Sequence, residues 1–191
     1  MPEPKTKRLF AAIKIQASED FCKIYHQIKL ALMHDYITWV QTENMHLTLK
    51  FFGETPVDEI PAIDQCLKLA SGGIKSFDIR IRQTDIFGSV YDPRVIWFGL
   101  EAGSSLQGLY HSISEHLKTV GIFPDRQNYV PHLTIGRIKK IADKRLFQQI
   151  VDQFKNCDLG KQKISELVLY ESILRHEGPS YNALHRYTFK A

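Results

Sequence analysis

The apolar positions along this chain switch repeatedly between the unbroken or alternating spacing of strands and the three-to-four spacing of helices. Residues 8–14, with Leu9 to Ile13 apolar throughout, predict a short buried strand. Ser18 is placed to cap a helix running to about Met33. A strand follows over 44–52 and ends at Gly53, then a helix from about Asp58 to Ala70 stopping at Gly72-Gly73. Residues 77–87 alternate as a strand does, and 88–93 read as a turn. Beyond it come a buried strand over 94–100, a helix opened by Ser104 and running to about Val120, and a strand over 132–137. A helix over 143–154, a strand over 164–174, a turn and a last strand over 181–189 complete the pattern.

The second set of elements repeats the first at a fixed offset. Arg8 and Arg94, Ser18 and Ser104, and His46 and His132 each lie 86 positions apart, and the last strand begins about 86 positions after Val95. A strand–helix–strand–helix–strand unit over about 8–93 is therefore expected to recur over about 94–180, with a closing strand over 181–190 completing a sheet. No Pro-, Gly- or Ser-rich tract separates the halves, and each is too small to bury a core alone, so residues 1–191 are expected to form a single bilobed domain. Strands joined by short turns favour antiparallel pairing, hence an α+β fold and not a doubly wound one.

Composition narrows this only a little. With 191 residues, 43% hydrophobic, 11% aromatic and 24% charged, the chain is neither disordered nor fibrous. No apolar run approaches the ~20 residues of a membrane span. Lys5, Lys7 and Arg8 before an apolar stretch have the outline of a secretory leader, but Lys14 cuts the stretch short and no small-residue cleavage site follows. Cys22, Cys66 and Cys157 are odd in number and far apart, framing neither disulfides nor a zinc site and pointing to a reducing cytoplasm. The 25 basic and 21 acidic residues, net +4, permit an anionic ligand without requiring one.

The candidate chemistry sits on two strands: His46-Leu47-Thr48-Leu49 and His132-Leu133-Thr134-Ile135. Alternation puts His and Thr on one face and the aliphatic residues on the other. A given histidine opens such a tetrapeptide on the order of once in a thousand times by composition. One copy is an ordinary half-buried strand; two in matched register of a repeat are a site. Facing each other across a cleft, two imidazoles can act as base and acid on a phosphate, and the hydroxyls of Thr48 and Thr134 can hydrogen-bond its nonbridging oxygens. The residues alone leave the two roles interchangeable.

Lys50, four residues after His46, belongs by alternation to the same face and is a candidate phosphate ligand. Arg137, five after His132, is a second candidate that simple alternation aims away. Gly136 is expected to let a ligand approach the backbone, and Tyr129 with Phe51 or Phe52 are candidate base-stacking aromatics. The chain has no Walker loop, dinucleotide fingerprint or His-Glu-x-x-His motif, and neither histidine strand carries the carboxylate or Cys that a metal site would want. His26, His34, His111 and His116 fall in predicted helices, and His176 and His185 at the terminal hairpin, all read as surface or packing residues.

These paired strands resemble those of the two-histidine (2H) phosphoesterase superfamily, and within it the RNA 2′,3′-cyclic phosphodiesterases, historically called 2′-5′ RNA ligases. The likeness is sharpest over 44–54 and 129–137, with support from Phe87-Gly88, from Pro93-Arg94-Val95-Ile96-Trp97 and from 167–172, and it covers nearly the whole chain. Met45 and the Ile122-Phe123 segment are small departures. The resemblance implies a bilobed, pseudo-twofold-symmetric fold of two antiparallel sheets with flanking helices and a central cleft. It implies cofactor-free and metal-independent opening of 2′,3′-cyclic phosphates on RNA ends or small cyclic nucleotides to 2′-phosphomonoesters, by a cytoplasmic monomer. His132 then matches the proton acceptor and His46 the proton donor. Alternatives are a 2′-5′ ligase or nuclease, another cyclic-phosphate esterase in the same cleft, or a non-catalytic RNA-binding module.

Overall fold

Runs that are apolar at every position become central strands, because a central strand is covered on both faces. The computed structural model describes residues 5–124, 129–175 and 178–191. β1 (Thr6–Lys14) buries Leu9 to Ile13 without a break. It lies between β3 (His46–Pro56) and β8 (Glu166–Arg175), and β9 (Gly178–Thr188) pairs with β8 at the far edge. The second sheet runs in the order β2 (Tyr36–Trp39), β6 (His132–Lys140), β5 (Asp92–Glu101), β4 (Phe77–Ser89), β7 (Asp158–Ile164). All these pairings are antiparallel.

Each sheet draws on both halves of the sequence. With β2 set aside, the orders β3-β1-β8-β9 and β6-β5-β4-β7 match strand for strand, which puts the two histidine strands in equivalent places. The helices are α1 (Glu19–Ala31), α2 (Ile60–Ser71), α3 (Gly103–Lys118) and α4 (Lys144–Gln153). In α1, Phe21, Tyr25 and Ile28 form the buried stripe, and Ser18 Oγ accepts the Phe21 N–H at 3.1 Å. Asp143 caps α4 in the same way, accepting from the amides of Arg145 and Leu146. α2 meets α3 through Cys66 Sγ on the His116 carbonyl and Ser112 Oγ on the Ala70 carbonyl. One contiguous apolar core takes side chains from both sheets, from Leu9 and Leu47 to Phe98 and Leu133. Among the described residues no helix is long and apolar enough to cross a membrane.

Several elements depart from the sequence pattern for physical reasons. β2 and β7 were not foreseen: each is a short edge strand burying one or two side chains, Ile37 in one and Leu159 with Ile164 in the other. Gly53 does not end β3; at φ +75° it carries the strand through an irregularity to Pro56. α2 is preceded by a short 3₁₀ turn, Val57–Glu59, and Gly72 at its end is right-handed (φ −63°). Ser104 is not a cap, since α3 starts one residue earlier from Ala102 with no side-chain cap. His34 lies past the end of α1, and His176 lies outside the described residues.

Gly136 is buried, not open to a ligand. A Cβ there would meet Ile37 Cγ2 at 2.8 Å, and Ile96 Cγ2 and Trp39 Cε3 at 3.1 Å. The expected outcome for Gly136→Ala is a loss of about 1–3 kcal/mol from overpacking, read as a lower urea midpoint with an unchanged m-value. An unaffected midpoint would mean that β2 does not press on β6 there.

Candidate active site

β3 and β6 both begin at a histidine, and both imidazoles are held alike. His46 Nδ1 lies 2.7 Å from the Asn44 carbonyl and His132 Nδ1 2.8 Å from the Val130 carbonyl, in each case two residues upstream. A carbonyl only accepts, so Nδ1 carries the proton and Nε2 keeps its lone pair for a ligand. Aromatic walls fix the ring planes. His46 sits 4.9 Å from Phe10 and edge-on to Tyr181 at 5.2 Å; His132 is edge-on to Phe87 at 4.6 Å, with Trp97 at 6.0 Å. Among the described residues the buried Trp97 indole N–H has no acceptor, a spare donor on the wall beside Thr134.

Past the threonines both strands slip by one residue. On β6, Thr134 pairs with Trp97 and Gly136 with Ile96, so Ile135 is an extra residue. On β3, Thr48 pairs with Ala12 and Lys50 with Ala11, so Leu49 is the extra residue. A bulge of this kind reverses the faces beyond it. Arg137 therefore pairs with Val95, on the face of Trp97 and Thr134, and joins the site that plain alternation denied it. Lys50 turns the other way, correcting the expectation that it shares the face of His46. It lies against α3, and its Nζ donates to the Phe123 carbonyl at 2.9 Å. The position matching Arg137 on β3 is Phe51, 45% exposed beneath the Arg8 guanidinium at 4.9 Å.

One cation escaped the sequence reading. Lys14 is the direct cross-strand partner of His46, so its side chain shares the site face. Burial draws the Lys14 ammonium below its ordinary pKa, against an opposing pull from Glu43. Burial is also the main force on the histidines. It lowers His46 from 6.5 to about 4; the Asn44 carbonyl opposes this, while the charges of Lys14, Arg137 and His132 add to it. His132 is lowered by burial and by Arg137, against the Val130 carbonyl. Arg137 and His132 on one sheet are thus felt at His46 on the other, and both imidazoles are neutral near pH 7 in the free protein.

Other candidates resolve differently. Tyr129 stacks on Tyr110 at 4.1 Å, and its hydroxyl donates to the Thr48 carbonyl at 3.4 Å, so it braces β3 and is not free to stack on a base. Phe52 packs against the core, leaving Phe51 as the exposed aromatic of that pair. His116 bonds the Ser112 carbonyl and His185 faces Asp64, both away from the histidine strands. No cluster of three or more His, Cys, Asp or Glu side chains suited to a metal occurs among the described residues.

Residues 20–172 match the 2′-5′ RNA ligase superfamily. The chain is 34% identical to an RNA 2′,3′-cyclic phosphodiesterase of Methanocaldococcus jannaschii over 93% of its own length and 98% of that protein. A protein of the same name from Thermotoga maritima is 34% identical over 80% of each chain. Among solved structures, TT0787 of Thermus thermophilus superposes with a TM-score of 0.77 at 23% identity, covering 96% of this chain and 98% of that one. Escherichia coli LigT complexed with 3′-AMP superposes at 0.70 and 22% identity, covering 98% and 100%. These likenesses fix the fold.

The depressed His46 has a testable signature. Its folded pKa of about 4 lies below the unfolded 6.5, so its contribution to stability is complete above pH 6.5 and is lost as pH falls through 4. Imidazole nitrogen shifts are expected to titrate near pH 4 for His46 and below 6.5 for His132. The fall in unfolding free energy between pH 6.5 and 4 is expected to flatten in His46→Gln. A His46 midpoint at or above 6.5 contradicts the burial argument.

Proposed function

The chain belongs to the 2′-5′ RNA ligase superfamily, and from that premise we propose that it opens 2′,3′-cyclic phosphates at RNA ends to 2′-phosphomonoesters without a metal ion. The observation that carries this reading is the matched pair of imidazoles, each with Nδ1 tied to a carbonyl and Nε2 left for the reactants. The name borne by the curated relatives points the same way.

In this reading His132 Nε2 takes a proton from water as the water oxygen bonds to phosphorus. The bond from phosphorus to O3′ breaks, and His46 gives O3′ its proton. Thr48 and Thr134 hydroxyls donate to the nonbridging oxygens, and Arg137 holds the phosphate through charge. Lys14 adds positive potential on the His46 side. His46 is neutral in the free protein, so the negative charge of the bound phosphate is what raises its pKa enough to make it an acid. Small cyclic nucleotides fit the same chemistry. The unpaired Cys22, Cys66 and Cys157 support a cytoplasmic setting, and a single chain supplies every residue named, so a monomer suffices.

An oligonucleotide ending in a 2′,3′-cyclic phosphate, incubated with the protein and EDTA, is expected to yield the 2′-phosphomonoester. A 3′-phosphate product, a ligated product, or a loss of activity restored by added metal overturns the reading. His46→Ala and His132→Ala are each expected to lower turnover by about 10²–10⁴-fold with the fold intact. Arg137→Met is expected to cost far more kcat/KM than Lys50→Met; equal losses would undo the bulge argument. Since kcat/KM reports the free protein's groups, its pH profile is expected to be bell-shaped with an optimum below 6.5. A monotonic profile argues against paired histidines.

A further inference from the structure

Gln83 is the one residue other than glycine with a positive φ (53°) among the described residues. It is the extra residue where β4 slips against β5, between the pairs Arg82–Gly99 and Thr84–Phe98. Left-handed bulge positions usually hold glycine, because a Cβ is strained there. The strained turn is pinned from behind. The Gln83 N–H donates to the Cys157 carbonyl at 2.8 Å, and that of Thr84 to the Phe154 carbonyl at 3.2 Å.

The side chain has a defined place. A Cβ added to Gly99 would meet Gln83 Cγ at 2.8 Å and Nε2 at 2.9 Å, so the amide lies over Gly99 in space that only a glycine leaves open. Gly99 pairs directly with His132, and paired residues point their side chains to the same face. The Gln83 amide therefore sits one strand spacing, about 4.8 Å, from the strand of His132 and on its face. The residue is exposed, and among the described residues its amide makes no hydrogen bond. Backbone strain, a cleared neighbour and an unengaged amide coincide beside one of the two candidate catalytic imidazoles. Glycine at position 83 would satisfy the backbone better, so the fold itself gives no reason for glutamine.

Resting on the cyclic-phosphodiesterase reading above, we propose that Gln83 is a specificity residue that reads the base of the nucleotide whose phosphate lies between the histidines. A phosphate asks only for donors, and Thr48, Thr134 and Arg137 supply them. A carboxamide offers a donor and an acceptor side by side, the pattern of a base edge. The phosphate lies at His132, and the ribose spans the distance from phosphate to base. A side chain one strand away on the same wall meets what the ribose carries.

The test measures binding of the four 2′-nucleoside monophosphates by calorimetry to the wild type, Gln83→Gly and Gln83→Asn. A bidentate amide–base pair separates the right base from the wrong one by about 5–150-fold, so the wild type is expected to show at least a fivefold spread in Kd. In Gln83→Gly the spread is expected to collapse to near unity while affinity for the disfavoured bases holds and the urea midpoint does not fall. Gln83→Asn tolerates the left-handed backbone but is one methylene shorter, and is expected to lose most of the spread. Equal binding of all four by the wild type, no binding of any, an unchanged spread in Gln83→Gly, or a uniform loss for every base overturns the proposal. Binding does not depend on turnover. A base-selective protein that hydrolyses no cyclic phosphate refutes the proposed activity alone, and a base-blind hydrolase refutes the role of Gln83 alone.

Discussion

Two short hydrogen bonds, from His46 Nδ1 to the Asn44 carbonyl and from His132 Nδ1 to the Val130 carbonyl, set the terms for everything around them. Each selects the tautomer that leaves Nε2 bare, and each requires extended backbone immediately before the strand begins. They also offset part of what burial costs an imidazole, since the carbonyl pulls the pKa back up while Phe10, Tyr181, Phe87 and Trp97 keep water away. Both rings are consequently poised as bases in the free protein. In the mechanism proposed above, an acid appears only when a negative ligand arrives, which couples binding to the protonation state that the chemistry needs.

The two bulges come next in order of consequence. Leu49 and Ile135 stay buried on the core side, and the residue after each follows them to that side, so the one beyond, Phe51 or Arg137, returns to the ligand's. Matched strands thereby deliver unlike groups: an exposed aromatic ring on one wall and a guanidinium on the other. The pseudo-symmetry holds for the histidines and threonines and ends there, so a ligand meets two different sides.

The His-x-Thr pairs were legible because alternation survives over three residues and because the 86-residue register repeats them. The cap Ser18 was legible too, for the signal is one side chain and the amides just after it. Ser104 offered the same signal one residue inside its helix, whereas Asp143, read only as the first residue of a helix, proved to be that helix's cap. Legibility stopped where the third dimension intrudes. Lys50 and Arg137 were read on each other's faces because a bulge is a property of the partner strand's register. Lys14 was missed because its neighbour, His46, is 32 positions away in sequence and adjacent only across β1–β3. Gly136 looked like a window for a ligand, yet the strand that fills it, β2, is four residues long and buries only Ile37. Gln83 carries no sequence mark at all, since glutamine within an alternating run gives no hint of a left-handed backbone.

The exchange of strands between the halves has a mechanical consequence. Following the chain through the two sheets, it passes from one to the other four times: β1 to β2, β2 to β3, β3 to β4, and β7 to β8 through Ser165 alone. Hinged proteins swing on a few residues of linker. Here four tethers and a shared core resist any swing, and the last is too short to flex. The spacing between the two imidazoles is therefore written into the path of the backbone. In the function proposed above, a ligand is then sorted by a gauge of fixed width and not gripped by a closing jaw.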